Sequence, residues 1–352
     1  MAARIGLILE PLDLLFFRDG RPFDIGRVGS TAILPQTVAG ALRTALLERA
    51  GCDFGALGRA TRAGKSFAQA LAEQSAALAG IAEVAVGGPW FLRDGEPLVP
   101  APASLLRDDN GEFARLAPLR DALPGWNPEE PGMLPLWTRS RERTERLAGY
   151  LTLAGADRFL LGGLPARDDI VQASDLFETD SRTGIVVGGE TLTAETGMIY
   201  AADYLALKPG VSLYVELSGP EATLAGSFAD EAAIPLGGQT RYVRLRRRPE
   251  PVTWPRCRTG RGGSLLLLTT PAPFAGRWRP SGLDIVAAAV PGHVAVSGWD
   301  LARGGPKPTR FAVQAGAVYF CRGAAPDRDS VGEGDDALLG WGRFLEGGWD
   351  YA

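Results

Sequence analysis

Two clusters of arginine and one solitary histidine are the residues of this 352-residue chain whose types and spacing could do chemistry. The first cluster is Arg18-Asp19-Gly20-Arg21-Pro22. Two guanidiniums around a glycine turn, with Asp19 and Asp24 close by to orient them, make a rigid polar tip rather than a floppy linker. The second runs from Arg241 to Arg261 and holds eight arginines against one carboxylate, Glu250, interleaved with Tyr242 and Trp254. Guanidiniums hold phosphates and flat side chains stack on bases, so this mixture on a strand suits single-stranded RNA. Arg244 and Arg246 would share one face of such a strand. Each cluster also has a plainer reading. The first could pair only with local carboxylates, and the second could guard a sheet edge against aggregation. Spacing alone leaves both open.

Catalytic constellations are scarce. The one histidine, His293, sits in the strand-like PGHVAVSGW, so a ribonuclease built on a histidine pair cannot be assembled. A buried or strand-capping role is expected for it. No nucleophile elbow, no G-x-x-x-x-G-K-[ST] and no strand-linked G-x-G-x-x-G is found, which disfavours acyl transfer, nucleotide hydrolysis and dinucleotide binding. Asp108-Asp109, Asp168-Asp169 and Asp335-Asp336 fall in charged, loop-like contexts and read as solvated turns rather than metal ligands. Cys52, Cys257 and Cys321 are widely spaced with no CxxC, so neither zinc nor a disulfide framework is suggested. The expectation is a protein with no catalytic residue, no metal and no cofactor.

Charge and composition bound the partners. A net charge of −4 and a pI near 5.3 argue against coating nucleic acid non-specifically, so RNA binding would need a local patch. Only Lys65, Lys208 and Lys307 are lysines, a bias that a GC-rich genome produces by itself; only the places where arginines cluster carry meaning. Hydrophobic content of 45% with 22% charge is globular, and the length suits two domains. No apolar run is long enough to span a bilayer, and MAARIGLILEPLD interrupts any signal-peptide core with Glu10 and Pro11. A soluble, cytoplasmic protein is expected.

The elements that must position these residues follow in chain order. Ile5, Leu7 and Leu9 alternate as a strand, and Leu12 to Phe17 is expected to continue it as buried strand past a bulge or edge position at Pro11. Pro35 suits a first helical turn, Val38, Leu42 and Leu46 share one face, and Gly51 can cap the end. Ser66 and Gln69 are spaced as a capping box for a helix reaching Gly80. Asp94-Gly95 marks a hairpin within 83–102, and a proline-rich excursion follows over about 100–138. RSRERTER, Arg139 to Arg146, reads as the polar start of a helix with a solvated face. Ser181 to Ile185 and Thr196 to Tyr200 flank a Gly188-Gly189 turn as a long two-stranded arm, and Val211 to Leu217 alternates as a strand. Strands are expected again over 265–268, 285–290, 293–299 and 311–321.

PLDLLFFRDGRPF and LPQTVAGALRTAL resemble the N-terminus of the RAMP (repeat-associated mysterious protein) superfamily, and more narrowly the Cmr subunit three family of type III-B CRISPR effector complexes. Later words match in order: Arg182 to Ile185, Glu195 to Tyr200, the GG-x-x-R of Gly237, Gly238 and Arg241, then Gly298-Trp299-Asp300, Lys307-Pro308, Ala315 to Tyr319, and a glycine-rich ending at Gly340 and Gly342. The resemblance implies an α+β fold of two ferredoxin-like (RRM-like) domains with long loop and hairpin insertions, divided here as 1–180 and 181–352. It implies a non-catalytic subunit that holds the 5′ repeat-derived tag of the guide RNA. Its protein partners would be the large polymerase/cyclase-type subunit and a neighbouring RAMP backbone subunit, with no membrane involved. The residues carried over to RNA are Arg18, Arg21, Arg43, Arg182, Gly237, Gly238, Arg241, Arg244, Arg246, Lys307, Gly340 and Gly342. A RAMP endoribonuclease using His293 and a purely structural assembly subunit are the competing readings.

Overall fold

The computed structural model describes residues 2–17, 27–28, 33–121, 123–128, 130–187, 194–256, 262–300 and 305–352. It is a mixed α and β protein of antiparallel sheets with few helices, divided into two compact units. Unit 1 takes 1–89, 177–251 and 295–310, and unit 2 takes 90–176, 252–294 and 311–352. The division is therefore interleaved, where the sequence reading cut the chain once at 180. The cause is strand pairing: the first strand takes both its partners from beyond residue 210.

In unit 1, β1 (Ala2–Pro11), β2 (Ala85–Arg93, whose end passes into unit 2), β3 (Phe177–Val187), β4 (Ala194–Leu207), β5 (Val211–Pro220), β6 (Ala232–Pro235) and β7 (Tyr242–Arg248) are the main strands. The principal sheet runs in the order β6-β7-β1-β5-β2, with β1 antiparallel to both β5 and β7. Opposed residues lie on one face of a sheet, so Leu7 and Leu9 fall beside Val215, Leu213 and Leu245, all fully buried. Helix α1 (Pro35–Arg49) buries Val38, Leu42 and Leu46, the three residues that the sequence placed on one face. The stretch expected to be one helix over 66–80 is two, α3 (Phe67–Ala72) and α4 (Ala76–Ala82), after a further short helix α2 (Phe54–Arg62). Ser66 and Gln69 form the expected capping box, and Ser75 caps α4 by accepting from Leu78 N–H, which breaks the run.

β1 stops at Pro11, and the apolar run after it is not a strand. Leu12 is 51% exposed, and Asp13 Oδ1 accepts from Leu14 N–H at 2.7 Å, closing a local turn where Pro11 offers no donor to continue the ladder. β3 and β4 form the expected arm, pairing Phe177 with Leu207 through Ile185 with Ile199.

Unit 2 is built on β8 (Gly263–Leu268), β9 (Ile285–Ala289), β10 (Val318–Cys321) and β11 (Phe344–Trp349), in the order β9-β10-β8-β11. Leu265 and Leu267 join Phe320, Trp349 and the α5 helix (Leu153–Leu160) on one side. Leu266 and Leu268 join Tyr319, Phe274 and Ile285 on the other. A sheet covered on both faces needs a continuous apolar strand, which the LLLL run provides. Arg139 to Arg146 is not the start of a helix. It is an exposed loop with a Ser140–Glu142 turn leading into the short strand Thr144–Arg146, because strand pairing with Asp108, Arg107 and Leu106 claims its end. Asp169 is likewise no solvated turn: it is buried and accepts from Arg158, Thr152 and the Ala166 N–H. Among the described residues no helix is long and apolar enough to cross a membrane.

Burial in unit 2 pushes the Tyr150 hydroxyl and the Cys321 thiol up to about 12 each, and Tyr319 upward as well. These groups stay neutral in the fold while the unfolded chain ionises near its ordinary values. Their share of stability is complete below about pH 9 and is lost as pH rises toward 12. Urea denaturation should show on the order of 3 kcal/mol less stability at about pH 10.5 than at about pH 8. Tyr150→Phe should remove its part of that slope, and a flat profile would contradict the burial assignment.

Candidate nucleic-acid interface

Three pieces of unit 1 are tied together just beyond β1. Leu12 N–H donates to Tyr242 O at 3.0 Å, which holds the outgoing chain beside β7. Leu15 exchanges both backbone bonds with Leu205 of β4, at 2.9 and 2.8 Å. Phe16 O accepts from Gly238 N–H at 2.8 Å, and the Phe16 and Tyr204 rings meet with centroids 5.2 Å apart. The stem of the first loop is thus gripped by the arm and by the β6–β7 hairpin tip. Arg18 and Arg21, which follow in the chain, lie outside the described residues.

The GG-x-x-R word is that hairpin tip. Leu236 N–H donates to Arg241 O and closes it. Gly237 has φ +82, and a Cβ there would stand 2.4 Å from Phe16 O, so only glycine lets the tip approach this closely. Gln239 and Thr240 follow at φ 56 and 53, left-handed backbone that non-glycine residues adopt at some expense. The tip's seat offsets this: Tyr204 donates its hydroxyl to Gln239 Oε1.

The tip delivers Arg241. Its guanidinium bonds to Asp13 and lies 5.0 Å from the Tyr204 ring centroid; that of Arg182 lies 5.1 Å from the same ring. Cation–π contact with one tyrosine therefore organises two arginines that are 59 positions apart in the chain. Arg182 is also bonded to Asp180 at 2.9 Å, which raises its pKa and keeps it charged. Along β7, Tyr242, Arg244 and Arg246 point away from the core while Val243 and Leu245 point in. The facing residue of β1 is Glu10, whose carboxylate bonds to Arg246 and stands 4.0 Å from Arg244. Tyr242 is 41% exposed and sits next to the exposed Leu12. The surface is an arginine row with a flat aromatic at its end, each cation held by a carboxylate. Exposed pairs of this kind contribute about 0–1 kcal/mol, so phosphates can displace the carboxylates at little cost.

The remaining carried-over residues do not all reach this surface. Arg43 donates to Val84 O at 3.0 Å and lies 5.7 Å over the Phe67 ring, joining α1 to its neighbours. Lys307 is exposed; its backbone accepts from Ser297 Oγ and donates to Gly298 O, where Gln36 at the start of α1 also anchors Ser297. Gly340 and Gly342 are buried in unit 2, and a Cβ at Gly342, with φ +69, would stand 2.6 Å from Gly332 N. The glycine character of Gly342 serves that close backbone packing. His293 is exposed at the start of a strand, edge-on to Phe311, not buried. Sequence reasoning missed Tyr204, Asp13 and Glu10. Glu10 was within reach, because it falls on the outward phase of Ile5, Leu7 and Leu9. The Tyr204 contacts join distant segments, and no local pattern marks them.

The family model described as CRISPR-associated protein (Cas_Cmr3) matches residues 7–349. No curated protein matches the sequence significantly. Among solved structures, a chain of the cryo-EM structure of the Type III-B Cmr-beta bound to cognate target RNA is similar at TM-score 0.51 and 16% identity, covering 89% of this chain and 86% of its own. A chain of the same assembly with target RNA and AMPPnP gives TM-score 0.50 and 17% identity, covering 89% and 85%. At that identity the likeness is one of fold.

The hairpin tip yields a stability test. Gly237→Ala should destabilise by about 1–3 kcal/mol in urea denaturation, since it adds strain and a backbone clash. Gly51→Ala shares the positive φ, at +72, but meets open space, and should cost clearly less. Equal losses would mean that the approach to Phe16 is not what requires glycine.

Proposed function

We propose, from the premise that the chain belongs to the family of the CRISPR-associated protein (Cas_Cmr3), that it is a non-catalytic subunit gripping guide RNA in a type III-B effector complex. The Tyr204-organised arginines and the row on β7 carry this reading. They combine cations, a flat exposed side chain and a rigid seat, which is what a single strand requires. The similar chains come from Cmr-beta particles bound to target RNA, which accords with an RNA-holding subunit among protein neighbours. The 5′ repeat-derived tag would lie along the β7 face. The large polymerase/cyclase-type subunit and a RAMP backbone subunit would dock elsewhere on the chain. Base pairing by the guide would supply target specificity while protein contacts read backbone and splayed bases.

We read both units as ferredoxin-like. Leaving aside the edge strand β6 and the separate β3–β4 arm, and taking the four remaining strands of each principal sheet in chain order, both sheets run fourth, first, third, second: β7-β1-β5-β2 and β11-β8-β10-β9. That is the order of a βαββαβ unit. In unit 2 no helix of ordinary length joins the first strand to the second; α5, from earlier in the chain, packs beside β11 instead.

Exposure divides the arginines by role. The Arg241 side chain is only 19% exposed and holds the tip, so it positions, while Arg182, Arg244 and Arg246 are free enough to meet phosphate. The purely structural alternative draws on one observation, that carboxylates already neutralise this row. The two separate cleanly. Arg244→Ala with Arg246→Ala should weaken binding of tag-bearing guide RNA and flatten its salt dependence by about 0.7 per lost contact. Glu10→Gln should tighten binding, by freeing Arg244 and leaving Arg246 with Glu231, 3.9 Å away. If filter binding shows neither shift, the chain is an assembly bridge and not an RNA grip.

The endoribonuclease alternative is tested on repeat RNA. The purified chain is expected to leave it intact, with or without His293→Ala. Specific cleavage that His293→Ala abolishes would overturn the non-catalytic assignment.

A further inference from the structure

Unit 2 carries an aromatic and basic feature that the row on β7 does not account for. Trp137 lies in a short strand, Leu136–Trp137, paired with Ala117–Pro118. Its side chain is 45% exposed, and among the described residues the indole makes no hydrogen bond or ring contact. A tryptophan left nearly half in water forfeits much of the stabilisation that its burial would bring. Leu136 and Thr138 are half-buried, while Trp137 and every residue from Arg139 to Arg143 are exposed. Arg139 and Arg141 form no ion pair or hydrogen bond among the described residues. They differ in this from Arg143, 3.5 Å from Glu145, and from Arg146, which donates to Pro291 O. The turn in which Ser140 Oγ donates to Glu142 O and accepts from Glu142 N–H fixes the segment's end.

We propose that Trp137, Arg139 and Arg141 form a second single-stranded RNA contact, with one base stacked on the indole and successive phosphates on the two guanidiniums. The occupant is a polyanion with flat groups, because unpaired exposed cations stand a few residues from an unpartnered ring. An acidic peptide would use the cations but leave the indole idle. No residue of the row on β7 takes part, so this site stands or falls separately from that one.

The test uses the full chain carrying Arg244→Ala and Arg246→Ala, so that the row does not mask the second contact. The probe is a single-stranded oligouridylate containing 4-thiouridine. Trp137→Ala should weaken binding by about fivefold or more. Arg139→Ala with Arg141→Ala should lower the salt slope by about 1.4. Photocrosslinking should place an adduct within 137–141. Three results would overturn the proposal: no adduct with affinity and slope unchanged; an equal effect of Trp137→Ala on duplex RNA, which offers no base to stack; or oligoglutamate binding that needs Arg139 and Arg141 while RNA binding is unmoved.

Discussion

Unit 1 depends on one constraint, that β1 must be paired along both edges. A ten-residue strand carrying Leu7 and Leu9 buries one face, and its backbone groups require partners on either side. β5 and β7 meet that demand, and both lie more than 200 residues along the chain. Everything between must leave and return. That is why the units interleave, and why the arm β3–β4 and the tip of β6–β7 arrive at the residues just after Pro11. Glu10 faces Arg244 and Arg246 for the same reason: the register that places Leu9 against Leu245 puts Glu10 against Arg244, one pleat on.

That register also decides the electrostatics. A row of arginines on a free-standing surface would repel itself and bind polyanions without choice. Here Glu10, Asp13 and Asp180 each hold a guanidinium, and the whole chain is net acidic. The pairs are half-exposed and individually worth little. Their value lies in geometry, since they set where the cations point before any ligand arrives, and so reduce the ordering a ligand must impose. Arg241 shows the limiting case. Between Asp13 and Tyr204 it has so little freedom that its contribution is to fix the tip, and through the tip the start of β7.

Much of this was legible in the sequence where short-range rules apply. The Val38, Leu42 and Leu46 face, the Ser66 capping box, the Asp94-Gly95 turn and the long arm all rest on periods and turn chemistry local to a few residues. The errors have local causes too. Leu12 to Phe17 looked like a strand because its apolar content outweighed a proline whose missing donor ends the ladder. Ser75 split a helix that composition alone would have continued. Arg139 to Arg146 looked helical because its charges fall at i, i+3 and i, i+4 spacings, while strand pairing with 106–108 overrode propensity. Of the candidate site, the arginines and the paired glycines could be read directly. Their partners could not, since Tyr204 with Arg241 and Phe16 with Gly238 are matched only by the fold.

The glycines show how one residue type served two ends. Matching words place Gly237, Gly238, Gly340 and Gly342 together as positions where a backbone could approach a phosphate. Packing gives each pair a nearer neighbour: Phe16 O for Gly237 and Gly332 for Gly342. A residue kept small by an internal contact need not touch a ligand to matter for one. If Gly237 were larger the tip would lift from Phe16, Gln239 would lose Tyr204, and Arg241 would lose the ring that orients it. Gly237 therefore acts on the arginine surface through the scaffold, and the side chains of that surface left at least partly exposed are Arg182, Tyr242, Arg244 and Arg246.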